Sequence, residues 1–250
     1  MKNCLVLVLV CLVSLTSIKA QDKEDIKQKF KGKLTQADRI ILDVYTDIWL
    51  KYPSDSMNIN KINRGLNFYY VREIPFGTSN FSFAGGLGFS FQNLYSDAMP
   101  INYTVDTAGV KTFGGNTYFT PIPDSSIDRA QAIHYRNNKF TVAYIDIPIE
   151  FRFRLKNNSF KFYVGGKFGV MLSNHWKYNG DNFNENYPTP TMKIKQYNIP
   201  NVSPIRYGIT VRTGWKWIQA YAYYSLSNLF KKGKGPEMYP LSVGLTISPY

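Results

Sequence analysis

Cysteine is nearly missing from this chain: of 250 residues only Cys4 and Cys11 carry a thiol, and nothing beyond residue 11 can form a disulfide. Stability must therefore come from packing, backbone hydrogen bonds and lipid rather than from cross-links. Histidine is equally scarce, with His134 and His175 alone, and carboxylates are outnumbered, 17 against 30 basic side chains. Long apolar runs are also missing. Apart from residues 5–15, no stretch approaches the roughly 18 apolar residues that a membrane helix needs.

The start of the chain reads as an export signal. Lys2 supplies the positive end, residues 5–15 the apolar stretch, and Ser17-Ile18-Lys19-Ala20 the small-residue cleavage site. A signal peptide is expected over 1–20 and a polar, lysine-rich periplasmic N-terminal arm over 21–39. Both cysteines would leave with the signal, as would Lys2 and Lys19, so that 28 basic residues remain against 17 acidic ones, a surplus of 11. That surplus suits anionic lipid headgroups or a phosphorylated glycolipid. Nucleic acid is excluded as a partner, since no recognition motif accompanies the charge and the protein is exported.

What the chain does have is aromatics, 19 Tyr, 17 Phe and 4 Trp, and a two-residue rhythm. In residues 81–92, Phe81, Phe83, Leu87, Phe89 and Phe91 share one face and Ser82, Ala84, Gly86, Gly88, Ser90 and Gln92 the other. The rhythm recurs at 40–50, 63–72, 141–155, 160–172, 206–215, 217–226 and 239–250, in segments about as long as the 9–11 residues of a tilted membrane strand. Links after the second, fourth and sixth segments are short, and those after the first, third, fifth and seventh are long. The reading is an all-β fold over 40–250: an eight-stranded antiparallel up-and-down transmembrane β-barrel with short periplasmic turns and long external loops, in the cell outer membrane.

The polar face is rich in Gly, Ala and Ser with scattered charge, which suits a cramped interior rather than a solvated exterior. Eight strands enclose a lumen that side chains can fill. Asp43, Asp47, Asp146, Glu150, Arg152, Lys161, Lys167, Arg206 and Arg212 are the candidate lumen ion pairs, driven together because an unpaired buried charge is costly. Tyr52, Tyr95, Trp176 and Tyr178 are expected at the outer membrane interface, and Trp215 and Trp217 at the inner one.

Four runs carry a family likeness: Asn63-Arg64-Gly65-Leu66-Asn67-Phe68, residues 81–93, Tyr144-Ile145-Asp146-Ile147-Pro148-Ile149-Glu150-Phe151-Arg152, and Leu229-Phe230-Lys231-Lys232-Gly233-Lys234-Gly235 with Tyr239-Pro240-Leu241. They resemble the PorT-like outer-membrane β-barrel family of Bacteroidetes, over roughly 39–250. The resemblance implies an integral outer-membrane protein. That family includes a component of a type IX secretion system, although most members have no assigned activity. The final Tyr250 resembles the aromatic signal read by the barrel-assembly machinery.

Catalysis finds little support. His134 or His175 could be drawn beside Ser125, Ser126 or Asp128 as a hydrolase, and 181–185 as a cation site, but neither has the spacing of a working motif. The chain is read as no enzyme, with no cofactor and no metal. Lys231, Lys232 and Lys234 are candidates for contact with lipopolysaccharide phosphates, and the 93–140 loop for a membrane-protein partner. The preferred role is a structural or interaction protein of the cell surface. The alternatives are a subunit of a type IX-like secretion system and a lipid A-modifying enzyme.

Overall fold

The structure is a computed structural model that describes residues 39–105, 110–122, 133–155, 159–183 and 190–249. The expected signal peptide, the arm up to residue 38, Ser125, Ser126, Asp128 and Tyr250 lie outside the described residues.

Eight strands form the barrel: β1 (Ile40–Leu50), β2 (Arg64–Pro75), β3 (Phe81–Tyr95), β6 (Tyr135–Arg154), β7 (Phe160–Asp181), β9 (Ile205–Trp215), β10 (Ile218–Ser225) and β11 (Tyr239–Ile247). Every pairing is antiparallel between successive barrel strands, and β1 pairs with β11, from Leu42 opposite Ile247 to Leu50 opposite Tyr239, so the sheet closes without an edge. Three further strands lie outside this ring. β4 (Ala98–Val105) pairs with β5 (Lys111–Pro121), and β8 (Thr191–Tyr197) continues the wall beside β7 alone.

The alternation that builds the strands also sets their polarity. Along β1, Ile41, Asp43, Tyr45, Asp47 and Trp49 are buried, while Ile40, Val44 and Ile48 are exposed. Phe81, Phe83, Leu87, Phe89 and Phe91 likewise point out of the barrel, with Leu87 55 % exposed. Such a continuous apolar exterior is unfit for water and suited to hydrocarbon. Aromatic rings gather at the turn end of this belt, where Phe81 stacks on Phe151 and Phe160 meets Trp215 edge-on. Trp215 and Trp217 are both exposed there, as the expected inner anchors should be.

Inside, bulky side chains lie over glycines on the next strand. Tyr45 sits between Gly65 and Gly244, and Tyr69 lies opposite Gly88. A Cβ on Gly65 would enter the Tyr45 ring, and one on Gly169 would meet the Asp146 carboxylate and Arg206. Glycine is needed at these positions because only a missing side chain leaves room for its neighbour. Pro148 is tolerated in mid-strand because the β3–β6 ladder skips it, passing from Ile149 to Asp146.

Two of the barrel strands are much longer than the rhythm predicts. β6 has 20 residues and β7 has 22, so both rise well past the apolar belt. A bulge makes this possible: Ala143 faces Ser173 and Tyr144 faces Met171, which leaves Leu172 as an extra residue. One extra residue exchanges the two faces of everything that follows. Trp176 and Tyr178, expected as outer anchors in the loop after residue 172, are instead 4 % and 0 % exposed and point inward. Segments read as open loops are also built differently, since 93–140 contains the β4–β5 pair and 173–205 contains β8.

Candidate functional site

The lumen at membrane level is filled by charge. All nine candidate ion-pair residues point into it, and each is 3 % exposed or less. Nearer the short turns, the Arg212 guanidinium donates to Asp43 at 2.8 and 3.2 Å and also pairs with Glu150. Asp43 further accepts from Thr246 at 2.6 Å and Asn67 at 2.9 Å. Glu150 in turn accepts from Arg152 at 2.7 and 2.9 Å, and Arg152 reaches Glu73 at 3.2 Å, where Arg154 also pairs. A chain of alternating sign therefore runs from β1 across to β2 through β9 and β6.

A second cluster lies toward the outer end. Asp146 accepts from Arg206 at 2.6 and 3.2 Å and from Tyr69 at 2.9 Å, and Ser90 bonds to it as well. Arg206 also donates to Gln92 at 2.6 Å, and Gln92 approaches Asp47, whose other oxygen takes the Ser242 hydroxyl. Lys167 stands 3.9 Å from Asp146 and 3.4 Å from the Tyr221 hydroxyl. Lys161 is buried on the same face, opposite Arg154 and Gly214.

Aromatic rings complete the packing, with Arg206 3.9 Å from the Tyr144 ring centroid, Lys167 3.9 Å from Tyr223 and Arg152 4.6 Å from Tyr163. Four buried carboxylates face five buried cations, and Glu73 and Arg154 at the edge add one charge of each sign. Each charge has an opposite or polar neighbour, which is what permits burial at all. Rhythm alone misses Glu73, because β2 continues three residues past its predicted end at residue 72. Of the inward tyrosines, Tyr45 and Tyr163 fall on the polar face of the rhythm, whereas Tyr69 is missed, although its alternation with Leu66, Phe68 and Tyr70 signals where it points.

Above the membrane the inside becomes apolar. Trp49, Leu94, Phe119, Phe140, Trp176, Tyr178 and Phe230 belong to one buried cluster drawn from six parts of the chain. Phe119 meets Phe140 and Phe230 edge-on, and Phe140 stacks on Phe230. Buried amides tie the pieces together. Asn138 donates to the Ser96 and Ala98 carbonyls at 2.7 and 3.0 Å while accepting from the Trp176 indole at 2.6 Å. The β4–β5 pair is fastened on its far side, where the Thr117 amide donates to the Lys234 carbonyl at 2.9 Å and its hydroxyl to the Pro200 carbonyl at 2.9 Å.

Lys231, Lys232 and Lys234 are exposed on this outer loop, whose backbone is held by Asn201 and Thr117. The two histidines stand apart. His134 is 82 % exposed and lies 3.7 Å from Asp181, whereas His175 packs on the Tyr197 ring. Among the described residues, no three metal-ligating side chains cluster. Of the suggested cation site at 181–185, residues 184 and 185 lie outside the described residues.

A closed ring of eight strands with an oily exterior and a paired, charged interior is the architecture of an outer-membrane barrel. Comparison with protein families agrees: the model described as outer membrane protein beta-barrel domain matches residues 44–231. The chain belongs to that family. The match spans most of the barrel, from β1 to the last outer loop, and places the protein in the outer membrane. No curated protein and no solved structure matches the chain.

Proposed function

We propose that this outer-membrane barrel is a non-conducting structural or interaction protein, whose folded outer end is the surface it offers to other molecules at the cell exterior. The observation that carries this reading is closure at two levels. Ion pairs occupy the lumen across the membrane, and an apolar cap roofed by β4 and β5 fills the mouth above it. A pore would need neither, and a lid held by buried amides is costly to build unless its shape matters.

The four sequence runs described above support placing the chain among the PorT-like members of its family.

Planar-bilayer recording of the purified protein tests the closure. Only brief, small events are expected, and a large steady conductance would contradict the reading. Pull-down from native membranes tests the role: co-purification through the outer surface is expected, and lipid A altered by deletion of the protein would instead favour an enzyme. Stable capture of large secretion proteins would narrow the interaction role to the secretion-subunit alternative.

A further inference from the structure

The bulge at Leu172 that sends Trp176 inward has an opposite effect on its neighbours: it sends Lys177 outward. On the outer wall, Tyr95 of β3 stands opposite Lys139 of β6, Lys139 opposite Lys177 of β7, and Lys177 opposite Lys195 of β8. Three lysines thus lie abreast on three adjacent strands, with about 4.8 Å between strands. Phe140 beside Lys139, and Trp176 and Tyr178 beside Lys177, are buried in the cap, so these two lysines face away from it, and Lys195 is itself exposed.

Like charges placed directly opposite one another destabilise a sheet. Lys177, Lys195 and Arg64 are the charges that act on Lys139, and all repel it. No carboxylate among the described residues pairs with Lys139, Lys177 or Lys195. The side chains are nevertheless held in place. Lys139 donates to Asn93 at 3.0 Å and lies 5.7 Å from the Tyr95 ring, and Lys195 lies 4.6 Å from the Tyr197 ring. A row of three cations with no carboxylate paired to it among the described residues is suited to receiving an anion.

Its height above the membrane says where the anion comes from. The last apolar row on this wall is Leu66, Phe91 and Ala143, and the lysine row stands four residues further along β3. At about 3.3 Å per residue and a tilt of about 40°, that is roughly 10 Å above the edge of the hydrocarbon. The headgroup layer extends about 5–8 Å beyond the hydrocarbon edge, and the long, flexible side chains of that row can reach down into it.

We propose that the outward row Lys139, Lys177 and Lys195 binds the phosphates of a phosphorylated outer-leaflet glycolipid, with Tyr95 and Tyr197 flanking the headgroup. The lysines of the outer loop, Lys231, Lys232 and Lys234, take no part in this site. The site depends on the membrane placement of the barrel and is independent of whether the outer end serves as a partner surface.

Native mass spectrometry of the detergent-solubilised protein tests it, with diphosphorylated lipid A and the same glycolipid stripped of phosphate as probes. Wild type is expected to retain the phosphorylated lipid at least about tenfold better than the stripped one. Lys139→Gln/Lys177→Gln/Lys195→Gln is expected to abolish that preference, and the corresponding triple Arg variant to keep it. Lys231→Gln/Lys232→Gln/Lys234→Gln is expected to match wild type. Heat-dependent gel mobility establishes that each variant is folded. If the triple Gln variant does not fold, the wild-type preference and the triple Arg variant still decide. The proposal is overturned if wild type shows no preference for phosphate, if a folded wall triple retains it, if only the loop triple loses it, or if inorganic phosphate alone displaces the lipid.

Discussion

Two compartments of one barrel obey opposite rules. At membrane level the outside is Phe, Ile, Leu and Val, and the inside is Asp, Glu, Arg and Lys. A few residues higher on β7 the outside is His175 and Lys177, and the inside is Trp176 and Tyr178. The solvent explains the exchange. Hydrocarbon cannot satisfy polar groups, so below the boundary they must turn inward and find one another. Water rewards the reverse arrangement, so above the boundary the chain builds an ordinary apolar core. Leu172, one residue in excess of its partner strand, separates the two regimes.

The comparison can be broken most severely at that residue. Deleting Leu172 is expected to return Trp176 and Tyr178 to the outer face and Lys177 to the inner one, with loss of the ordered cap. Limited proteolysis would show it as rapid cleavage within 93–140 while the membrane strands remain protected.

Next in size is Arg206→Met, which removes the nearest cation from Asp146. Loss of one partner of a buried pair costs about 3–5 kcal/mol, and replacing both partners costs far less. Denaturant titration in micelles should therefore find Arg206→Met less stable than Arg206→Met/Asp146→Leu. Phe230→Ala tests the other compartment: a loss of about 3 kcal/mol is expected, confined to the cap and read as proteolytic opening of the β4–β5 region.

Leu87→Arg puts charge on the lipid face and is expected to cost about 2–4 kcal/mol if Leu87 lies near the midplane, seen as poor assembly into membranes. The smallest effect belongs to Gly77→Arg in the turn after β2. Open space surrounds Gly77, but its φ of +56° favours glycine, so a cost of about 1 kcal/mol in the same titration is expected.

Much of the membrane compartment was legible because lipid enforces a strict rhythm. Asp43, Asp146 and Arg212 could be assigned to the lumen from their alternation with Val44, Ile145 and Val211, since in a two-residue repeat each face defines the other. The alternation of short and long links then supported a count of eight strands. The cap was not legible, for a specific reason. The two-residue rhythm stops at Leu172, where the reading ends the strand, because a bulge shifts it by one residue there without a Gly or Pro to mark the place. A usable hint was Lys177 between Trp176 and Tyr178, an outward cation flanked by two aromatics, though its meaning depends on knowing that the strand continues. The Asn138 staple was equally hidden, because its partners Ser96, Ala98 and Trp176 lie about 40 residues away along the chain on either side.

The absence of cysteine beyond Cys11 makes one measurement unusually clean. Single cysteines placed in turn at positions 168–179 of β7 can be spin-labelled in lipid bilayers and scored for contact with oxygen, which partitions into lipid, and with a water-soluble relaxant. Lipid contact at 168, 170 and 172, followed by water contact at the odd positions 173, 175, 177 and 179 with 174, 176 and 178 shielded from both, is the outcome required by an exchange of faces at Leu172. Continued lipid contact at the even positions through 178 would contradict it.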